Sequence, residues 1–280
     1  MHYRRRRLVN WLLQSAAVLC TVAVLVPLLL IFGYLLAKGL SSLNWSFFTQ
    51  LPKPVGESGG GMANAIVGTI TLIALACTLG LPVGIFAGVY LSEYGHTRFG
   101  WFVRFCADVL NGVPSIVIGI YAYTLIVLPM HGFSAYAGGA ALAVIMLPIV
   151  ARTTEEMLRL VPGSLREAAL ALGVPAWRTT IWVMLRTARG GIITGAMLAI
   201  ARIAGETAPL LFTAFGNQFW HHGLGGPIAS LPVQIYTYAI SPFDDWHRQA
   251  WAGALVLLSL IFVTSLAVRF MTRGQFRSAV

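Results

Sequence analysis

Arg202 and Glu206 are the residues whose chemistry stands out, because they lie in an otherwise apolar run from Gly191 to Phe215. A guanidinium stays charged at any ordinary pH and offers a fork of N–H donors that suits oxyanions. A carboxylate four residues on can neutralise it or aim it. On a single helix, Gly195, Ala199, Arg202, Glu206, Pro209 and Thr213 share a small, polar face, and counting from Gly191 puts Arg202 about 16 Å in. Placing Arg at the centre of a bilayer costs about 2.5–3.5 kcal/mol even on a lenient insertion scale, so it needs a reason. Two reasons stay open: the pair pins helices together, or Arg202 lines a path and meets an anion while Glu206 holds it. Arg before Glu is the weaker helical order, and a purely structural pair is easily replaced by apolar residues, which favours the path. Pro209 cannot bond the carbonyl of Gly205, which favours a kink. A second polar spot, Asp108 to Ser115, puts Asn111 and Ser115 at the start of another apolar run, where capping and a pathway role both fit.

A different chemistry is written in Ser164-Leu165-Arg166-Glu167-Ala168-Ala169-Leu170-Ala171-Leu172-Gly173. Ser164 and Glu167 have capping-box spacing, Gly173 suits a left-handed residue after the helix, and Pro175 forbids continuation. The predicted helix is about 12 Å long and buries little by itself, so it reads as a docking element for a soluble partner. Other sites are missing from the sequence. Gly59-Gly60-Gly61 is followed by Met62-Ala63-Asn64, with no lysine placed for a nucleotide phosphate, and no G-x-S-x-G or H-E-x-x-H occurs. His221-His222 is an adjacent pair, a spacing that rarely converges on one metal. The sequence therefore predicts no catalytic and no metal site, and any energy source must sit on another chain.

These residues must be positioned by membrane helices. Of 280 residues, 58% are hydrophobic and 10% charged, against about 25% charged in a soluble domain. The windows Leu8–Ala37, Ser58–Ser92 and Val109–Ala151 hold no charge at all. About 20 apolar residues cross a bilayer, so the expectation is an all-α polytopic protein with six spans in a single domain, residues 1–280. The spans are placed at 11–37, 64–91, 113–129, 138–151, 191–215 and 250–270, with a loop at 152–190. The fourth is short, so Arg152 is expected to snorkel at its end. Six spans put both termini on one side. Most of the 19 Lys and Arg, including Arg4–Arg7, Arg98, Arg104, six in 152–190, Arg269, Arg273 and Arg277, fall on that side, which the positive-inside rule makes cytoplasmic. The net charge of +10 is thus topological and no sign of nucleic-acid binding. Arg4–Arg7 precede an apolar run too long for a cleaved signal, so an uncleaved first span is expected. Cys20, Cys77 and Cys106 give no disulfide framework and are expected to be small buried hydrophobes.

Glu167-Ala168-Ala169-x-x-x-Gly173 resembles the EAA loop of ABC importer membrane subunits, whose coupling helix docks into a groove on the ATPase. The family continues with I-x-L-P; here Val183-Met184-Leu185-Arg186 stands in its place, and the proline is lost. Pro52-x-Pro54-x-Gly56, Asn64-Ala65-Ile66-Val67-Gly68-Thr69, Asn111-Gly112-Val113-Pro114-Ser115, Arg152-Thr153-Thr154-Glu155-Glu156, Gly205-Glu206-Thr207-Ala208-Pro209 and Leu231-Pro232-Val233-Gln234-Ile235-Tyr236 are similar to the A-type permeases of bacterial phosphate-specific ABC importers. That resemblance implies a type I importer permease fold in the bacterial inner membrane and a heterodimer with a C-type permease. It further implies an ATPase dimer that carries ATP and Mg, a periplasmic phosphate-binding protein, a phosphate-signalling regulator and surrounding lipid. The rival readings are import of molybdate or sulfate, a non-conducting scaffold or sensor, and a membrane-embedded enzyme. The last lacks any nucleophile, acid pair or metal set beyond Arg202 and Glu206.

Overall fold

The computed structural model describes residues 2–55, 57 and 59–276, with side chains for 3–55, 57 and 59–270. Gly56 and Arg277 lie outside the described residues, as do the side chain of Arg273 and the first residue of the Ser58–Ser92 window. Every described element is helical: α1 (His2–Leu40), α2 (Trp45–Thr49), α3 (Ala63–Tyr94), α4 (Arg98–Gly112), α5 (Ser115–Ala122), α6 (Leu128–Met130), α7 (Ala135–Arg159), α8 (Gly163–Ala171), α9 (Ala176–Arg178), α10 (Leu185–Ala204), α11 (Ala208–Thr213), α12 (Leu231–Ala239) and α13 (Asp244–Phe276). π-helical turns at Tyr123–Val127 and Thr179–Met184 join α5 to α6 and α9 to α10. Five helices are long and apolar enough to cross a membrane, and a sixth if Arg98–Gly112 and Ser115–Met130 count as one broken span.

Small residues bring the central helices together. Gly80, Gly84 and Gly88 recur every fourth position on α3 and face Met146, Val150 and Thr154 of α7. A Cβ added at Gly84 would stand 2.8 Å from the Val150 Cβ, so the backbones approach as closely as glycine allows. Gly191 and Gly195 of α10 meet Met157 and Thr153 in the same way, which makes α10 antiparallel to α7. Leu72, Leu142, Met146, Val150, Ala199, Ile203 and Leu210 fill the core between these helices. The first helix lies outside this core and leans on α13, with Tyr34 edge-on to Trp251 at 5.1 Å.

Several helix boundaries differ from the charge-free windows. α7 runs on to Arg159, so Arg152 sits inside the helix rather than snorkelling at the end of a short span. It is tolerated there because it pairs with Asp108 at 3.3 Å and Glu155 at 3.0 Å. The fifth span begins at Ala176 and stops at Ala204, and α11 follows after a break at Gly205–Thr207. The third has an elbow: Pro114 fixes an extended Val113, and the second arm is bent by 104° from the first. α4 thus runs across the line of α5, with Phe99, Trp101, Phe102, Phe105 and Val109 exposed along it. The cysteines are free and none is buried as expected: Cys20 is exposed on α1, and Cys77 and Cys106 are half-buried.

Candidate functional site

Arg202 stands in the last turn of α10, where a cation faces the negative end of the helix dipole. Ala204 ends the helix, Gly205 caps it, and Glu206 folds back to accept a hydrogen bond from Arg202 Nη1. The two side chains differ sharply, with 55% of Arg202 exposed against 6% of Glu206. The carboxylate is therefore an enclosed anchor, and most of the guanidinium fork stays open. Thr153 lies about 27 Å along α7, and Arg202 about 10 Å back from Gly195, so Arg202 is about 16 Å from the Ala135 end of α7. That is level with the middle of α7, although Arg202 lies in the last turn of its own helix.

The break also separates residues that a continuous helix would align. Thr213 is fully buried, its hydroxyl donating to the Pro209 carbonyl at 2.8 Å and its own carbonyl accepting from Ser134 N at 3.0 Å. It ties α11 to the start of α7 and does not share an open face with Arg202. The neighbouring Pro209 packs against Gly119 of α5. Asn111 ends α4 exposed, and Ser115 starts α5 half-buried beneath a Pro114 cap without a side-chain bond. Neither residue caps a helix, and among the described residues no hydrogen bond joins them to Arg202 or Glu206. They flank the elbow.

A charge cluster at the other end of α7 escapes inspection of the sequence by windows. Glu155, 1% exposed, accepts from Arg104 at 2.6 Å and Arg152 at 3.0 Å, and pairs with Arg159 at 2.8 Å. Arg152 and Arg159 stand three before and four after Glu155 on one helix, a spacing visible in the sequence. Arg104 comes from α4, 51 residues away, and has no local signal. The cluster clamps α4 onto α7.

Ser164 is not the cap of α8. Pro162 occupies that position with extended backbone, and the helix starts at Gly163, so Ser164 and Glu167 form no capping box. Proline's fixed φ starts the helix without a side-chain acceptor. The far end follows expectation: Gly173 has φ +77°, Gly173 N bonds Leu170 O at 2.9 Å, and Val174 N bonds Ala169 O at 3.1 Å. Glu167 and Ala168 are exposed and Ala169 is buried. Leu165, Leu170 and Leu172 are also exposed, Leu172 by 85%, which leaves an apolar face without a partner in the chain. Arg186 lies in the first turn of α10, directly after the π turn Thr179–Met184.

Comparison with known proteins supplies the family. Residues 80–277 match the description "Binding-protein-dependent transport system inner membrane component". The phosphate transport system permease protein PstA of Xylella fastidiosa Temecula1 is 48% identical over 269 residues, covering 95% of this chain and 93% of its own. PstA of Yersinia pestis is 50% identical over 235 residues, covering 83% of this chain and 79% of its own. PstA 1 of Mycobacterium tuberculosis H37Rv is 37% identical over 283 residues, covering 98% and 91%. Among solved structures, an inward-facing MetNI methionine ABC transporter chain superposes with a TM-score of 0.58 at 19% identity, covering 76% of this chain and 94% of that one, a likeness of fold. The long apolar helices, the helix α8 with its open face and these relatives agree: the chain belongs to the binding-protein-dependent inner membrane transport components, with the type I ABC permease fold, and within them to the PstA-type permeases.

Proposed function

We propose that this chain is the membrane-spanning subunit of an ABC importer that conducts inorganic phosphate. The observation that carries the reading is Arg202, a largely exposed side chain in the last turn of α10, braced by a buried carboxylate at a break in the fifth span. A phosphate dianion meets a donor fork of matching shape there. Glu206 tempers the attraction, which matters because a site that binds too tightly does not conduct. The PstA relatives favour phosphate over molybdate or sulfate.

The basic end of the bundle, with Arg4–Arg7, Arg104, Arg152, Arg159 and α8, belongs in the cytoplasm by the positive-inside rule, and both termini with it. α8 then docks on an ATPase dimer whose ATP and Mg supply the energy, so this chain itself hydrolyses nothing. A C-type permease completes the path, a periplasmic phosphate-binding protein delivers the anion, and a phosphate-signalling regulator is a further partner. Transport proceeds by alternating access: ATP closes the ATPases, α8 follows, the spans open outward, and hydrolysis resets them.

The test is uptake of labelled phosphate by proteoliposomes holding the whole complex. Wild-type vesicles accumulate phosphate, with molybdate and sulfate competing poorly, and Arg202→Gln vesicles do not. Uptake by Arg202→Gln equal to wild type overturns the role of Arg202. Selective uptake of another oxyanion overturns phosphate, and ATP hydrolysis with no uptake of any oxyanion points to a scaffold.

A further inference from the structure

Glu93 lies at the penultimate position of α3, with its side chain 13% exposed. Its Oε2 accepts a charge-assisted hydrogen bond from Arg166 Nη2 of α8. Its Oε1 lies 3.2 Å from the Thr180 hydroxyl, which shares its one proton between this carboxylate and the Ala176 carbonyl at 3.1 Å. Thr180 belongs to the π turn at the head of the fifth span. One carboxylate thus ties together three segments, with partners 73 and 87 residues away in sequence. Among the described residues, Arg166–Glu93 is the one ion pair between α8 and the spans.

We propose that Glu93 is a positioning residue for coupling, joining α8 to α3 and to the π turn so that a displacement of α8 moves both spans together. This rests on the reading of α8 as the helix that docks on the ATPase. A charge-assisted bond at a largely buried carboxylate is strong enough to transmit load, whereas the rest of α8 offers an open apolar face outward. π turns inside helices concentrate at functional sites, and this one holds Thr180. Each carboxylate oxygen serves a different segment, so neutralising Glu93 loosens α8 while the Thr180 contact survives.

The whole transporter in proteoliposomes tests this by measuring ATP hydrolysis and phosphate uptake together. Glu93→Gln is expected to hydrolyse ATP within about twofold of wild type while uptake falls about tenfold, the size of a typical coupling term. The exchange Glu93→Arg with Arg166→Glu restores the ion pair and recovers a large part of the uptake. Spin labels at Gly163→Cys and His96→Cys, both exposed, report the separation of α8 from the end of α3 in a background without native cysteines. Addition of ATP leaves that separation unchanged in wild type and shifts it in Glu93→Gln. If Glu93→Gln assembles poorly, Thr180→Val keeps the ion pair, removes the other arm and carries the same measurements. Hydrolysis and uptake falling in proportion, or label separations that respond identically in both proteins, overturn the proposal. Wild-type vesicles that take up no phosphate overturn the phosphate reading instead, and the label separations still decide Glu93.

Discussion

Glu155 and Glu206 are both buried carboxylates paired with arginine, and they are put to opposite uses. Three guanidiniums from two helices converge on Glu155, and the result is a closed clamp between α4 and α7. Glu206 holds a single arginine whose side chain is more than half exposed. A saturated carboxylate fixes structure, whereas an undersaturated arginine has capacity left for a ligand. The difference shows that an ion pair within a membrane protein declares its role by which partner keeps spare donors, more than by the presence of charge.

The largest expected effect separates the two regions. Arg202→Gln should cost about 2–5 kcal/mol of transition-state or bound-anion stabilisation, an uptake loss of about 30-fold or more, with normal thermal unfolding of the detergent-solubilised complex. Glu155→Ala should do the reverse to the fold. Stranding three guanidiniums costs about 3–5 kcal/mol, read as a lower unfolding temperature and poorer assembly than Glu206→Ala gives. Equal unfolding temperatures for Glu155→Ala and Glu206→Ala would erase the distinction. Gly84→Leu sharpens it from the packing side, since overfilling the α3–α7 contact destabilises by about 1–3 kcal/mol without touching either charge site.

Smaller effects belong to α8. Gly173→Ala places a side chain at φ +77° and should cost about 1–2 kcal/mol locally, seen as ATP hydrolysis less coupled to uptake while the spans stay folded. Ser164→Ala should change unfolding by no more than about 0.5 kcal/mol, because its hydroxyl caps nothing. A loss near 1 kcal/mol, the usual worth of a serine cap, would restore the capping box.

Residue patterns on their own make much of this legible. Apolar runs reveal the spans, and Gly173 with Pro175 marks where α8 ends. Charge-free windows misplace boundaries, because they report which stretches avoid charge, whereas a helix continues through Arg152 and Glu155 because Glu155 pairs with Arg104, Arg152 and Arg159 and Arg152 pairs with Asp108 as well. The break after Ala204 is only half visible. Pro209 signals a kink, yet the stop falls earlier at Gly205, so Thr213 turns into the core instead of extending the Arg202 face. The cap of α8 is misread because Ser164 at capping spacing looks decisive until Pro162 starts the helix two residues sooner.

The glycine contacts between α3 and α7 have a mechanical consequence. With Gly80, Gly84 and Gly88 pressed against Met146, Val150 and Thr154, the two helices pack closely enough that they are expected to move together. α3 spans about 44 Å between Asn64 and Glu93. At its Asn64 end, Asn64 donates to the Asn217 carbonyl at 2.6 Å and Thr69 accepts from Leu231 N at 2.8 Å. A small tilt applied beside α8 is therefore expected to reach the loop at Asn217 and the start of α12 at the opposite end.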